Sequence, residues 1–241
     1  MILSADRTTR YSKSAPNYVY PIRLKVFEEG SGEELFSKSS SPVKNTLKGK
    51  ITMNIMIVGV GGQGSLLASK ILGKAAMDSG CDVKVSEVHG MSQRGGSVVT
   101  YVRFGEEVYS PVIGKGDADV ILSFELLEAA RWLPNLKNGG TIVTSTQQIN
   151  PMPVITGAAE YPNEIVEDIK ALGVDIRAVD APAIAREVGN ERASNVALIG
   201  LAANVLGFDH EVLRNAVAAC VPAKALDINM AAFDKGYELS K

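Results

Sequence analysis

Cysteine and histidine are the scarcest reactive residues in this 241-residue chain, with two of each. Cys81 and Cys220 lie far apart and form no C-x-x-C pair. That argues against a disulfide framework, a cysteine-ligated zinc site, or an iron–sulfur cluster held by this chain alone. His89 and His210 supply little for a histidine-based centre, so no metal site is expected. Long apolar runs are missing too. None approaches the roughly 20 residues that span a bilayer, so no membrane segment is expected. Nor does one sign of charge dominate: a net −2 favours neither nucleic acid nor an anionic lipid surface. There is no Ser/His/Asp set, no paired carboxylates, and no G-x-x-x-x-G-K-S/T, since the glycine stretch near residue 60 continues as Ser65-Leu66 without the lysine. A reducing cytoplasm is the expected compartment.

What is present has the composition of a soluble globular protein, 46% hydrophobic and 22% charged, and is somewhat rich in glycine. The length suits one large domain or two small ones. Residues 1–52 differ from the rest. They carry nine Lys/Arg, five Asp/Glu and eight serines, with little apolar periodicity. They are expected to be a poorly ordered leader or a non-native extension upstream of a start at Met53, which precedes the first strong strand. Their early part is basic, as transit peptides are, but Glu28, Glu29, Glu33 and Glu34 interrupt that pattern, and no apolar core of a secretory signal follows.

From Met53 to Lys241 strands and helices alternate. Ile55–Val58 reads as a buried strand, Ser65–Ser79 as a helix, and Asp82–Val88 and Ser97–Phe104 as further strands. Gly105-Glu106-Glu107 suggests a tight turn into a strand at Val108-Tyr109-Ser110. Ala118–Phe124, Thr141–Ser145 and Val174–Val179 complete the strands, with helices at 125–136 and 163–172 between them. Everything after Ala181 reads as helical, with Ser194 and Asp209 expected as N-caps. The pattern predicts an α/β fold: a three-layer, Rossmann-like sandwich with a mixed, mostly parallel sheet and a helical C-terminal part.

Two stretches carry the chemistry. Gly59-Val60-Gly61-Gly62-Gln63-Gly64-Ser65 joins the first strand to the first helix. Such a turn brings bare N–H groups to a helix N-terminus, where unpaired donors and the helix dipole favour phosphate or carboxylate. The G-x-G-x-x-G spacing is weak by itself, and a loop that merely turns the chain fits it equally. The second stretch, Glu87-Val88-His89-Gly90-Met91-Ser92-Gln93-Arg94-Gly95-Gly96, leaves the second strand at the same predicted edge, beside the first loop if the two strands are neighbours. Ligands collect at that edge in open α/β sheets. Arg94 offers a planar fork for an oxyanion, Ser92 and Gln93 add neutral hydrogen-bonding groups, and Gly95-Gly96 permits close approach. A polar loop with a bulge is the plainer reading. His89 suits either general acid–base work or a structural hydrogen bond. Glu87 is a loose fit to the acid that binds an NAD ribose, which falls about 20 residues beyond the glycines.

Together the two stretches resemble the gamma-type domain of 2-oxoacid:ferredoxin oxidoreductases, and the G-M-S-Q-R-G-G form resembles the indolepyruvate branch of that family. The resemblance runs from Met53 to about Lys241 and takes in Tyr109-Ser110-Pro111 and Asp117-Ala118-Asp119-Val120. It implies oxidative decarboxylation of arylpyruvates to the aryl-acetyl-CoA, with electrons passed to ferredoxin. It also implies a larger alpha subunit as partner, bearing thiamine diphosphate and 4Fe–4S clusters, with CoA as co-substrate and no cofactor bound by this chain alone. On that reading the cofactor- and substrate-binding residues are Gly59, Gly61, Gly62, Gln63, Gly64 and Ser65 of the first loop. From the second come Met91, Ser92, Gln93, Arg94, Gly95 and Gly96, with His89 and Arg94 as catalytic candidates. Two other readings stay open: a stand-alone NAD- or FAD-binding Rossmann protein, and a non-catalytic assembly subunit.

Overall fold

The computed structural model describes residues 52–88 and 95–241. The leader expected at 1–52 lies outside the described residues except for Thr52, and so do His89, Gly90, Met91, Ser92, Gln93 and Arg94.

Strand β1 (Met53–Val60) forms at the centre because its apolar residues point both ways. Ile55 and Ile57 enter one core, Met56 and Val58 the other, and all four are fully buried. Side chains alternate across a strand, so a sheet covered on both faces needs apolar residues at consecutive positions. Helix α1 (Ser65–Asp78) follows, then the edge strand β2 (Asp82–Val88) and β3 (Ser97–Gly105). β4 (Ala118–Ser123) leads into α2 (Leu126–Trp132), and β5 (Leu136–Ser145) into the single turn α3 (Met152–Ile155) and α4 (Ile165–Ala171). β6 (Asp175–Val179) precedes α5 (Ala181–Glu187), α6 (Ser194–Leu206), α7 (His210–Cys220) and α8 (Leu226–Glu238).

The six strands lie in the order β2-β3-β1-β4-β5-β6. β1, β4, β5 and β6 run parallel, whereas β3 is antiparallel to both β1 and β2. The larger core, under α1, α6, α7 and α8, takes Val102, Phe104, Leu122 and Val143 from the sheet. The smaller one, under α2 and α4, takes Val99, Ile121, Ile142 and Ile176. Three layers and a mixed, mostly parallel sheet agree with the sequence expectation.

Three details differ from it. β1 and β2 are not neighbours, because β3 lies between them. β3 buries residues on both faces and suits an interior place, while β2 exposes Val85 and Val88 and takes the edge. Val108-Tyr109-Ser110 is not a strand, so β3 rather than that segment makes the sheet mixed. The segment is tied by side chains: Asp82 Oδ2 accepts from Val108 N at 2.9 Å, and Arg103 Nη1 donates to the Ser110 carbonyl at 2.8 Å and the Val112 carbonyl at 3.1 Å. Ser194 does not cap α6. A 3-10 turn at Glu191–Ala193 precedes that helix and is capped by Asn190, whose Oδ1 accepts from Arg192 N at 3.0 Å. Asp209 caps α7 as expected, accepting from Glu211 N at 2.9 Å.

Helix α6 is apolar all round and buried along most of its length, as a central helix must be. Its contact with α8 has almost no side-chain spacer. A Cβ on Gly200 would sit 2.2 Å from the Phe233 carbonyl oxygen, and one on Gly236 1.9 Å from that of Ala197. This packing fixes the α6 N-terminus against the carboxyl edge of the sheet.

Candidate functional site

The carboxyl ends of β1, β4 and β5 open on a cleft of about 680 Å³ lined by Gly62, Gln63, Gly64, Phe124, Gln147 and the segment 190–195, among others. The glycine loop forms its floor, and two helices of 14 and 13 residues, α1 and α6, begin at its rim. Neither helix has a side-chain cap bond, whereas α7 does. At α6 the preceding 3-10 turn and Asn195 Oδ1 take up the Ser194 and Val196 N–H groups, so the uncapped first turn of α1 is the one that favours an anion.

Gln63 holds the loop. Its Oε1 accepts from Val60 N at 2.7 Å, while its Nε2 donates at 2.9 Å both to the Phe124 carbonyl and to Gln147 Oε1. One amide thus ties the ends of β1 and β4 to the segment after β5. Gly59 leaves room for it, since a Cβ there would lie 2.8 Å from Gln63 Oε1 and 3.2 Å from Phe124 Cβ. Gly62 and Gly64 have φ of 105° and 91°, a region that disfavours side chains. At Gly64 a Cβ would also lie 2.3 Å from Nδ2 of the buried Asn195. The stem of the second loop reaches the first directly: Gly61 N donates to the Gly96 carbonyl at 2.9 Å.

Behind the cleft two carboxylates, each 1% exposed, organise the edge. Glu125 Oε2 caps α2 by accepting from Glu128 N at 2.9 Å. Its Oε1 accepts from Tyr161 Oη at 2.6 Å and from Ile149 N at 3.1 Å. Burial, then the bond and charge of Glu125, push the Tyr161 phenol far above its ordinary value near 10. Glu128 accepts from Ser97 Oγ at 2.5 Å and pairs with Arg131 Nη1 at 2.5 Å. Buried polar groups of this kind are fully partnered, which makes the edge rigid.

The structure therefore brings Gly59, Gly61, Gly62, Gln63, Gly64 and Ser65 together with Gly96. Gly95 stands at the described start of the second loop's stem, with φ 78°. Glu87, considered as a ribose ligand, sits on the edge strand with β3 between it and β1, and its Oε1 accepts from Ser69 Oγ at 3.1 Å. Sequence reasoning missed Gln147 and the segment Asn190-Glu191-Arg192, which form the far wall of the cleft. The Gly189-Asn190 step was the available signal, a turn pair inside an otherwise helical stretch. Among the described residues, no group of three or more His, Cys, Asp or Glu side chains is arranged to hold a metal. Cys81 and Cys220 are separate, half-buried thiols packed on the larger core, with burial raising both. Two separate thiols do not supply the ligands of an iron–sulfur cluster. No helix among the described residues is long and apolar enough to cross a membrane.

Fold and cleft together define an α/β protein with a glycine-loop cleft at the carboxyl edge of its sheet and, among the described residues, no group of three or more metal-ligating side chains. The family model described as pyruvate ferredoxin/flavodoxin oxidoreductase matches residues 54–239, and the chain belongs to that family. Indolepyruvate oxidoreductase subunit IorB of Thermococcus kodakarensis is 46% identical over 195 residues, covering 78% of this chain and 96% of the relative. The protein of the same name from Archaeoglobus fulgidus is 37% identical over 189 residues, covering 77% and 94%. Among solved structures, the gamma subunit of a keto/oxoacid ferredoxin oxidoreductase from Geobacter sulfurreducens superposes with a TM-score of 0.59 at 23% identity, covering 78% of this chain and 98% of that one. The 2-oxoglutarate:ferredoxin oxidoreductase of Magnetococcus marinus, with 2-oxoglutarate, coenzyme A and succinyl-CoA bound, superposes with a TM-score of 0.61 at 21% identity. That match covers 80% of this chain and 31% of the larger one. The chain is thus an oxidoreductase subunit of the 2-oxoacid class.

Proposed function

We propose that this chain is the smaller subunit of a cytoplasmic, ferredoxin-dependent oxidoreductase that decarboxylates arylpyruvates of the indolepyruvate type to aryl-acetyl-CoA. Its partner is a larger subunit that carries thiamine diphosphate and 4Fe–4S clusters. Thiamine diphosphate, when bound there, supplies the electron sink for decarboxylation. The observation that carries the reading is the 46% identity to an indolepyruvate oxidoreductase subunit over nearly the whole of that relative.

This chain's own part is binding and positioning. The first loop presents backbone donors of Gly62, Gly64 and Ser65 at a helix N-terminus, suited to the oxoacid carboxylate or the phosphates of CoA. Gln63 and Gly59 hold that loop rigid, so little ordering is lost when a ligand arrives. Met91, Ser92, Gln93 and Arg94 of the second loop are proposed to meet the same ligands, with His89 available to move a proton. Residues 53–241 form the functional unit, and residues 1–52 are proposed to be dispensable.

The test is co-expression with a cysteine-rich, thiamine-dependent partner and assay of CoA-dependent ferredoxin reduction. Indolepyruvate is expected to exceed pyruvate and ketoisovalerate by at least about tenfold in kcat/KM. Failure to form a complex, or a preference for pyruvate, overturns the reading.

A further inference from the structure

The cleft wall opposite the glycine loop belongs to no motif, yet its donors are aimed by necessity. Gln63 must turn its oxygen to Val60 N and its nitrogen to the Phe124 carbonyl. Gln147 must then present its own oxygen to Gln63, which leaves the NH2 of this cleft-lining residue without a partner among the described residues. Asn190 is fixed in the same way. Its oxygen accepts from Arg192 N at 3.0 Å, so its NH2 is likewise unspent. Arg192 lines the same cleft, exposed, with no ion pair or side-chain hydrogen bond among the described residues. The one other charged residue on the wall, Glu191, is occupied by Arg186 Nη1 at 3.5 Å. Two unspent amide donors and one guanidinium without an ion pair among the described residues thus line the space. A donor-rich wall facing a loop of bare N–H groups suits a ligand that is anionic and acceptor-rich.

We propose that Arg192, flanked by the Gln147 and Asn190 side-chain amides, anchors an anionic group of a substrate across the cleft from the glycine loop, either a phosphate of CoA or the carboxylate of the oxoacid. It is a specificity-determining residue, and the assignment rests on the function proposed above. A guanidinium offers two parallel donors to a phosphate or carboxylate, whereas an ammonium offers a point charge. Arg192→Lys therefore retains part of the binding that Arg192→Ala loses.

The experiment uses the assembled complex with wild type, Arg192→Lys and Arg192→Ala. KM is measured separately for CoA, for pantetheine, which lacks the phosphates, and for indolepyruvate. One KM is expected to rise about 10- to 100-fold in Arg192→Ala, with an intermediate rise in Arg192→Lys and kcat within about threefold. A rise for CoA that is absent for pantetheine identifies the phosphate, and a rise for indolepyruvate identifies the carboxylate. Thermal melts of the variants should match wild type, because Arg192 has no partner to lose among the described residues. Unchanged KM for all three compounds, or a loss confined to kcat, overturns the anchor. If the wild-type complex turns over no 2-oxoacid, the proposed reaction fails on its own. Calorimetric titration of wild type and Arg192→Ala with CoA and with indolepyruvate then decides the anchor separately: equal affinity in both proteins, or no binding to either, overturns it.

Discussion

Gly61 donates its backbone N–H to the carbonyl of Gly96 at 2.9 Å, joining the two glycine-bearing loops across strand ends that are far apart in sequence. The bond exists because β3 rather than β2 lies beside β1, with Val60 paired to Ser97 in register. The second loop's stem therefore returns to the chain directly against the first loop. Whatever the first loop binds, the stem of the second is anchored beside it.

Gly64 is subject to two separable constraints, a φ of 91° and the nearby Asn195 Nδ2. Gly64→Ala should cost about 1–3 kcal/mol from the backbone and the clash together. Adding Asn195→Ala should relieve the steric part and restore some of the melting temperature, leaving the backbone cost. If the double variant is less stable than the two single losses predict, the proposed contact is wrong. Thermal melts of the three proteins decide it.

Gln63→Leu should lower stability by about 1–3 kcal/mol, because Val60 N and the Phe124 carbonyl lose their partner at a half-buried place. Gln63→Glu keeps the acceptor but turns a carboxylate oxygen toward the Phe124 carbonyl and Gln147 Oε1, so its folded-state pKa should rise above the unfolded value near 4.3. A raised pKa gives stability that is present below the unfolded value and lost as pH climbs through the folded one. The Glu variant should therefore approach wild type at pH 4–5 and fall behind at pH 8. Parallel pH–melt curves would contradict this arrangement of the amide.

Gly236→Ala should force α6 and α8 apart, since the new Cβ would meet the Ala197 carbonyl at 1.9 Å, and a backbone atom cannot step aside as a side-chain tip does. The cost is expected at about 1–3 kcal/mol or more, a fall in Tm on the order of 3–10 °C. Gly236→Ala by itself gains about 1 kcal/mol of helix propensity, so any fall in Tm is the steric cost net of that gain. Equal melts for Gly236→Ala and wild type would refute the close helix contact.

Tyr161 is held protonated by burial and by Glu125, so its pKa is raised on folding. The sign follows: the folded state retains the proton longer, so this contribution is intact below about pH 10 and is lost as pH rises beyond it. Tyr161→Phe removes the donor to Glu125 and the acceptor for Leu127 N, and should destabilise at neutral pH. Its stability should also decline less steeply than that of wild type above pH 10. Identical alkaline slopes, read by denaturant titration, would show that Tyr161 does not titrate as described.

The class of fold was written into local pattern. Consecutive apolar positions in Ile55–Val58 demand a strand covered on both faces, and Asp209 before an amphipathic run marks a helix start, so both could be read without coordinates. The first loop was legible for the same reason, because glycines between such a strand and a helix leave few conformations. Strand neighbourhood was not legible. Whether β2 or β3 lies beside β1 depends on which strand can be buried on both faces, a contest among distant residues that spacing does not encode. Arg192, Gln147 and Asn190 were hidden likewise: they approach the loop only after α5 and α6 have packed, and apart from the turn pair Gly189-Asn190 nothing in their local sequence distinguishes them from surface polar residues. The sequence by itself determined most of the elements and the place of the glycine loop, because backbone sterics and side-chain periodicity act between near neighbours. Only the tertiary structure decided which side chains face that loop, because contacts between residues 61 to 131 positions apart are settled by packing as a whole.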